Sequence, residues 1–199
     1  MKKVVAAIAL SIPLVASAAD NSMLILSGDR SLAIPGFRTY IATGYIPSEK
    51  NVEFLKTLKE KTTSLKLISF DQTNNNKNML VCRASYPVYG PNKTPFASLI
   101  EAAVNMELVA SGLSAPEAPR IQASLDDFDF SSFGTGKWSI DATFATDGKA
   151  PLVIKNQYTF PVSAGAVSGC GDVMNAMVAG IESFLLRLYS DPGFIELVR

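Results

Sequence analysis

The sequence predicts an α+β fold: an antiparallel meander sheet with two long helices packed on one face. Three observations predict it. Hydrophobic residues make up 48% of the 199 residues, enough for a substantial core. Apolar residues recur with helical spacing in the segments 95–111 and 173–188. Between these two segments, apolar and polar residues alternate with the two-residue period of a strand that buries one face.

The first long helix is predicted to begin at Pro95, with Thr94 as its N-cap. Gly112 is expected to end it, and Pro116 to prevent continuation. The second long helix has one apolar face, formed by Val173, Met177, Gly180, Ile181, Phe184 and Leu188. A short terminal helix is expected after Asp191 and Pro192.

A strand carrying Cys82 is predicted from Met79 to Ala84, followed by a turn-rich connector from Tyr86 to Thr94. Three further strands should follow the first long helix. In the first of them, apolar residues occupy every second position up to Leu125, and the next apolar residue is Phe128, one position later than this alternation requires. The extra residue predicts a β-bulge near Asp126 and Asp127. The other two are joined at the hairpin signal Asp147-Gly148, and their buried positions are Trp138, Ile140, Ala142, Phe144, Leu152, Ile154, Tyr158 and Phe160.

The first 18 residues have the features of a secretory signal peptide. Lys2 and Lys3 precede an apolar stretch from residue 4 to 15, and Ala16-Ser17-Ala18 matches the pattern of a signal-peptidase site. Cleavage is expected after Ala18 or Ala19. The apolar stretch is shorter than the roughly 20 residues that span a membrane, and no later stretch qualifies. We therefore expect a periplasmic protein without a transmembrane segment in its mature chain.

Residues 20–78 are predicted to form an irregular N-terminal arm. It should contain one short helix, from Val52 to Glu60 with Ser48 as N-cap, and a short β-type run from Leu65 to Phe70. Residues 79–199 form the predicted α+β domain. Because no linker or internal repeat separates the two parts, one globular unit is expected overall.

The two cysteines, Cys82 and Cys170, are predicted to form a disulfide, because an exported protein folds in an oxidising compartment. The absence of a C-x-x-C spacing disfavours a redox role. A loop of this length would stabilise the fold by about 4–5 kcal/mol in the chain-entropy model.

Composition excludes several function classes. The chain has no histidine, which excludes catalysis by a Ser-His-Asp triad or a Cys-His pair and excludes metal sites that depend on histidine ligands. Lys and Arg total 18 against 18 Asp and Glu, without the basic excess of a nucleic-acid binder. Gly134-Thr135-Gly136-Lys137 is not a phosphate-binding loop, because Trp138 stands where Ser or Thr is required. No catalytic residue, metal or cofactor is predicted.

Two groups of residues are candidates for function. The acidic group Asp126, Asp127 and Asp129 could provide an acid and a base, or bind Ca²⁺; the favoured interpretation is a solvated edge. In the connector, Tyr86 and Tyr89 are candidates for exposed recognition.

Several segments from residue 79 onward resemble a group of uncharacterised bacterial envelope proteins, similar in plan to the YajG-type lipoproteins. The matching pieces are Cys82-Arg83, PFASLIEAAVNMELVASG, FDFSS, KWSIDATF and DPGFIEL. The resemblance implies an α+β domain and a location in the cell envelope, and it implies no catalytic residues. This chain lacks the cysteine that is lipidated in those lipoproteins.

The predicted function is that of a non-enzymatic periplasmic accessory or binding protein of the cell envelope, with an unidentified envelope protein or ligand as its partner. One alternative is a small carboxylate-based hydrolase or a Ca²⁺-binding module built on Asp126, Asp127 and Asp129. Another is a structural subunit of a larger assembly.

Overall fold

The computed structural model describes residues 39–62, 64–73 and 77–199. The strands in this part of the chain, numbered in chain order, are β1 (Tyr40–Ile41), β2 (Leu67–Phe70), β3 (Met79–Cys82), β4 (Tyr86–Tyr89), β5 (Arg120–Ser131), β6 (Gly136–Ala145) and β7 (Leu152–Phe160). The α-helices are α1 (Glu49–Lys56), α2 (Phe96–Ala110), α3 (Ala166–Tyr189) and α4 (Phe194–Val198). The predicted α+β class is confirmed.

Within the described residues, the main sheet has four strands in the order β2-β5-β6-β7, and β5, β6 and β7 form the predicted antiparallel meander. The register between β5 and β6 shifts between Leu125 and Asp127, which confirms the predicted bulge. The strands are long because their residues alternate cleanly on both sides of that bulge. The solvent-facing side of the meander is therefore mainly polar, while the other face supplies the core.

Both long helices cover the apolar face of this sheet. On the side of β6 and β7, the Trp138 indole donates from Nε1 to the Val173 carbonyl at 2.9 Å. Gly180 of α3 lies directly over Trp138, since a Cβ at that position would stand 3.1 Å from the Trp138 Cβ. At the start of α2, Phe96 stacks on Phe128 with ring centroids 4.4 Å apart. These contacts fix where each helix crosses the sheet.

The start of α2 lies one residue later than predicted. Pro95 occupies the N-cap position with φ −53° and ψ 141°, and Thr94 lies outside the helix. No side chain caps this end of the helix, and the Phe96 N–H donates instead to the Lys77 carbonyl at 2.9 Å. At the other end, Gly112 follows the helix with φ +70°, the left-handed conformation expected of it.

The connector predicted from Tyr86 to Thr94 is wrong in its first half, because residues 86–89 are strand β4. A second sheet has the order β1-β4-β3, with β4 parallel to β1 and antiparallel to β3. Pro87 suggested a turn from sequence alone. It is accommodated because β1 pairs only with Val88 and Tyr89, so the β1 ladder ends before the proline.

The sequence alone places the run from Leu65 to Phe70 in an N-terminal arm. In the structure, β2 is an edge strand of the main sheet and pairs in parallel with β5. Helix α1 begins after Ser48, as predicted, and packs against α2 and α3. The expected signal peptide and residues 20–38 of the arm lie outside the described residues. Among the described helices, none is both long and apolar enough to span a membrane.

Candidate functional site

An open groove of about 670 Å³ runs along the outer side of α2. Its walls are mainly apolar, and the side chains of Met106 and Val109 within it are 36% and 37% exposed. The lining comprises Pro47, Leu67, Gln72, Ser98, Glu101, Ala102, Asn105, Met106, Val109, Ala110, Pro116 and Arg120. Helix α2 therefore has apolar residues on both sides: one side packs in the core, and the other is open to solvent.

One side of this α2 groove is the edge of the main sheet, and polar side chains of α2 close that edge. The Asn105 Oδ1 accepts from the Ile68 N–H at 2.8 Å, and Asn105 Nδ2 donates to the Ile68 carbonyl at 2.6 Å. Glu101 accepts from the Phe70 N–H at 2.8 Å and pairs with Arg120 at 3.4 Å. The backbone of β2 is thus already paired, and an additional strand cannot join there.

The side of α2 that faces α1 carries a buried carboxylate, Glu107. Its Oε1 accepts from the Ser48 N–H at 3.0 Å, from Asn51 Nδ2 at 3.2 Å and from the Tyr45 hydroxyl. Asn51 Nδ2 also donates to the Glu182 carbonyl of α3 at 3.0 Å. Because a buried acceptor without donors is costly, these bonds fix α1 and the preceding loop to α2 and α3.

The surroundings of Glu107 favour the protonated forms of three neighbouring side chains. Burial, followed by the hydrogen bond and the charge of Glu107, raises the pKa of Tyr45. Burial and the Glu107 carboxylate also raise the pKa of Tyr189, whose hydroxyl is buried nearby. On α3, burial and then the charge of Glu107 raise the pKa of the Glu182 carboxyl. Glu107 is fully buried, so a substrate cannot reach it, and we assign this cluster a structural role.

A second junction surrounds the disulfide, which joins Cys82 to Cys170 with a Cα–Cα distance of 5.9 Å and confirms the predicted pairing. Next to it, Arg83 donates to the carbonyls of Ala164 at 2.6 Å, Ser132 at 2.8 Å and Ser163 at 3.0 Å. The arginine thereby connects the β3–β4 turn to the loops before β6 and α3.

The turn that presents this arginine is strained. Arg83 and Ala84 both have positive φ, 47° and 60°. The guanidinium packs so closely on α3 that a Cβ at Gly169 would lie 2.6 Å from its Nη2. On its outer side a cleft of about 480 Å³ exposes Val81 and Phe133, and the Phe133 ring centroid lies 5.3 Å from the guanidinium carbon. The strain is thus offset by three hydrogen bonds and the adjacent disulfide.

The two candidate recognition tyrosines lie on β4 and are both half-buried. Tyr86 pairs with the buried Cys82, and its ring meets that of Tyr40 edge-on at 6.2 Å. Tyr89 pairs with the exposed Met79, and the Lys93 ammonium stands 4.9 Å from its ring centroid. The two tyrosines therefore face opposite sides of the small sheet and do not form a joint surface.

The candidate acidic residues lie at the bulge, toward the wet face of the main sheet. Asp126 accepts from the hydroxyls of Ser124 at 2.8 Å and Thr143 at 2.6 Å, and Asp129 accepts from the Phe130 N–H at 2.8 Å. Partial burial, then the charges of Asp129 and Asp141, raise the pKa of Asp127. In the described part of the chain, no group of three or more acidic or cysteine side chains is placed to hold a metal ion.

Sequence reasoning missed both the α2 groove and the Glu107 cluster, although each had a signal. Glu107 falls on the apolar face of its helix, together with Ala103, Val104 and Leu108, where a charge is out of place. On the opposite side, Ala102, Met106 and Val109 interrupt the polar face that a surface helix normally has. The helix is apolar nearly all round, which is typical of a helix covered on two sides.

Comparison with known proteins adds little to this description. No family model matches the chain, and no curated protein matches it. Among solved structures, it is similar to the crystal structure of protein XCC0632 from Xanthomonas campestris, described with the family DUF330. The sequence identity is 11%, the TM-score is 0.43, and the match covers 74% of this chain and 94% of that chain. The likeness is too distant to support an argument on function, and the predicted similarity to YajG-type lipoproteins is not shown.

Proposed function

We propose that this chain is a non-enzymatic accessory or binding protein of the bacterial cell envelope, which works in the periplasm and binds its partner through the α2 groove. The observation that supports the proposal is the outer face of α2, where Met106 and Val109 line an open apolar groove. Contiguous exposed apolar side chains on a protein surface mark interaction sites more often than scattered ones do.

The chemistry of the groove favours a helical partner segment. Strand addition at the β2 edge beside the groove is excluded, because Asn105 and Glu101 already pair with the backbone of β2. Glu101 is also paired with Arg120, so the groove offers little to a partner that brings an isolated charge. An amphipathic helix can pack its apolar side chains against Met106 and Val109 without requiring backbone hydrogen bonds. We therefore propose the apolar face of a helix in another envelope protein as the occupant.

The disulfide supports a location outside the cytoplasm. Disulfides persist in oxidising compartments and are rare in cytosolic proteins, where thiols are kept reduced. Both cysteines of the chain are joined in the fold, and both are buried. The predicted signal peptide at residues 1–18 agrees with export, and the periplasm is the simplest destination for it.

Groove variants test the proposal directly. Met106→Asp and Val109→Asp introduce a charge into the groove at exposed positions, where folding should be little affected. The wild-type chain, purified from a periplasmic fraction, should capture one envelope protein from native membranes, and both variants should lose it. Val81→Asp is the matched control, because Val81 is also an exposed apolar residue but lies in the cleft beside Arg83.

Three outcomes would contradict the proposal. The wild-type protein could fractionate with the cytoplasm, the groove variants could retain the captured protein, or Val81→Asp could lose it to the same extent. A catalytic or Ca²⁺-dependent role would instead give an activity or a Ca²⁺ effect that depends on Asp127.

A further inference from the structure

We infer that two copies of this chain associate through their β7 strands, antiparallel and with Asn156 opposite its own copy. The two four-stranded sheets would then form one sheet of eight strands. This inference does not depend on the proposed function, since β7 and the α2 groove lie at opposite edges of the main sheet.

The two edges of the main sheet differ in one respect. At β2, Asn105 and Glu101 occupy the backbone groups that face away from β5. At β7, the pairing with β6 runs without a shift over all nine residues, and no other described residue forms a backbone hydrogen bond with the strand. A long regular edge of this kind is a template for pairing with another strand.

Two of the usual protections of an edge strand, an internal proline and a β-bulge, are missing from β7. Proteins protect such edges with prolines, bulges or several charged side chains. Here the nine residues from Leu152 to Phe160 include no proline, and Lys155 is the one charged residue among them. The Lys155 Nζ lies 3.8 Å from the Asp141 Oδ2 of β6, the strand next to β7 in the sheet. This single charge lies near the middle of the strand, so the register of any pairing must accommodate it.

A closed pair of identical edges requires a twofold axis, and an axis perpendicular to the sheet makes the two strands antiparallel. The apolar faces of both copies then lie on the same side. Because residues directly opposite each other point to the same face, core-facing residues must oppose core-facing residues. The pairing must therefore be centred on a residue, and residues 155, 156 and 157 are the central choices.

The charge pattern distinguishes these three registers. Centring on Lys155 places two ammonium groups directly opposite each other, which is unfavourable. Centring on Gln157 leaves Leu152 and Val153 without opposing residues of β7. Centring on Asn156 pairs all nine residues and sets each Lys155 opposite the neutral Gln157 of the second copy.

This register also matches the apolar residues. On the core face it sets Leu152 opposite Phe160 of the second copy, and Ile154 opposite Tyr158 of the second copy. Leu152 and Tyr158 are half-buried in the single chain, so pairing would cover their remaining exposed surface. Aromatic residues opposite aliphatic ones are among the favourable cross-strand pairs. The register thus avoids a like-charge opposition and sets apolar residues opposite one another across the twofold axis.

Two substitutions at one exposed position test the inference. In the proposed register, Gln157→Lys creates two Lys–Lys oppositions and should raise the dimer dissociation constant about tenfold, whereas Gln157→Glu creates two Lys–Glu pairs and should lower it by a similar factor. Sedimentation equilibrium of the exported protein at several concentrations measures both. Gln122→Lys, an exposed position on β5 away from the edge, is the matched control and should leave the constant unchanged.

The result expected is a concentration-dependent dimer, with opposite shifts for the two Gln157 variants. A chain that stays monomeric in wild-type and Gln157→Glu forms would overturn the inference. A dimer whose dissociation constant is unchanged by both substitutions would associate through another surface, and this result would also overturn the inference. Equal weakening by both would place Gln157 opposite itself and overturn the register.

Discussion

The side-chain amide of Asn105 forms with Ile68 both hydrogen bonds that a neighbouring strand would otherwise form, at 2.8 Å and 2.6 Å. A single helical residue thus stands in for a missing β-strand at one edge of the main sheet. The same residue lines the α2 groove. The edge is therefore closed to strands while the neighbouring surface stays open to side chains.

Asn105→Ala leaves the N–H and the carbonyl of Ile68 without these partners. We expect the free energy of unfolding to fall by about 1–3 kcal/mol, the cost of leaving a buried polar group unpaired. Urea unfolding measures it. Met106→Leu, which keeps an apolar side chain of similar volume at the neighbouring groove position, is the control and should change stability by less than about 1 kcal/mol. Equal losses in the two variants would show that the amide contributes nothing special.

Removal of the disulfide should destabilise the chain strongly. The paired variant Cys82→Ala with Cys170→Ala opens a crosslink between residues 88 positions apart. The expected loss is about 4–5 kcal/mol in the chain-entropy model. Denaturant unfolding of the oxidised protein, the reduced protein and the paired variant should give one high and two low midpoints. If mass spectrometry after alkylation finds two free thiols in the exported protein, the crosslink is absent and the prediction is wrong.

Glu107→Leu should destabilise the protein by about 3 kcal/mol or more, because it leaves the Ser48 N–H, the Asn51 amide and the Tyr45 hydroxyl without their shared acceptor. Glu107→Gln keeps one acceptor oxygen and should lose less. Equilibrium unfolding of both variants tests this order. A Leu variant as stable as the wild type would refute the anchoring role assigned to Glu107.

Glu182→Gln should stabilise the protein, in a pH-dependent way. The pKa of Glu182 is raised above its ordinary value of 4.5 by burial and by Glu107, so the folded state disfavours the ionised form. Below the unfolded pKa the wild type is protonated in both states, and the variant gains nothing there. As the pH rises through the folded pKa, the wild type loses stability that the variant keeps.

The measurement for Glu182 is the difference in unfolding free energy between variant and wild type, at pH 4 and at pH 7.5. Glu117→Gln, an exposed carboxylate after α2, is the control and should show no such trend. A stability gain from Glu182→Gln that is larger at pH 4 than at pH 7.5 would contradict the raised pKa of Glu182.

The Ca²⁺ alternative predicts a specific ligand effect. If Asp126, Asp127 and Asp129 bound Ca²⁺, the thermal midpoint would rise with Ca²⁺, and the rise would disappear in Asp127→Ala. We expect no rise, because the hydroxyls of Ser124 and Thr143 already donate to Asp126. A Ca²⁺-dependent increase that Mg²⁺ does not reproduce would restore the alternative.

The local features of the fold were predictable from sequence because they follow short periodicities. The alternation through Trp138 and Phe144, and the phase jump at Asp126, are visible within a dozen residues. The prediction of the disulfide required only an even cysteine count and the expectation of export. The positions of β2 and β4 were not predictable, since each pairs in parallel with residues more than 40 positions away, and no local pattern encodes that choice.

The candidate site was less predictable for a related reason. Glu107 and Asn105 lie among apolar residues of α2, and the local sequence does not indicate their hydrogen-bond partners. Those partners, Ser48 and Ile68, belong to segments far away in the chain. Sequence analysis singled out Tyr86 and Tyr89 because the surrounding proline and glycine suggested an exposed loop. Pairing with β3 turned that segment into a strand and placed the two rings on opposite faces.

The most direct measurement is site-specific photo-crosslinking in living cells, with a photoreactive amino acid at position 109 in the α2 groove and, as control, at position 81. We predict one discrete crosslinked envelope protein from position 109, with the link in a helical segment of that protein, and none from position 81. Crosslinks from position 81 alone, or from neither position, would contradict a partner bound in the groove.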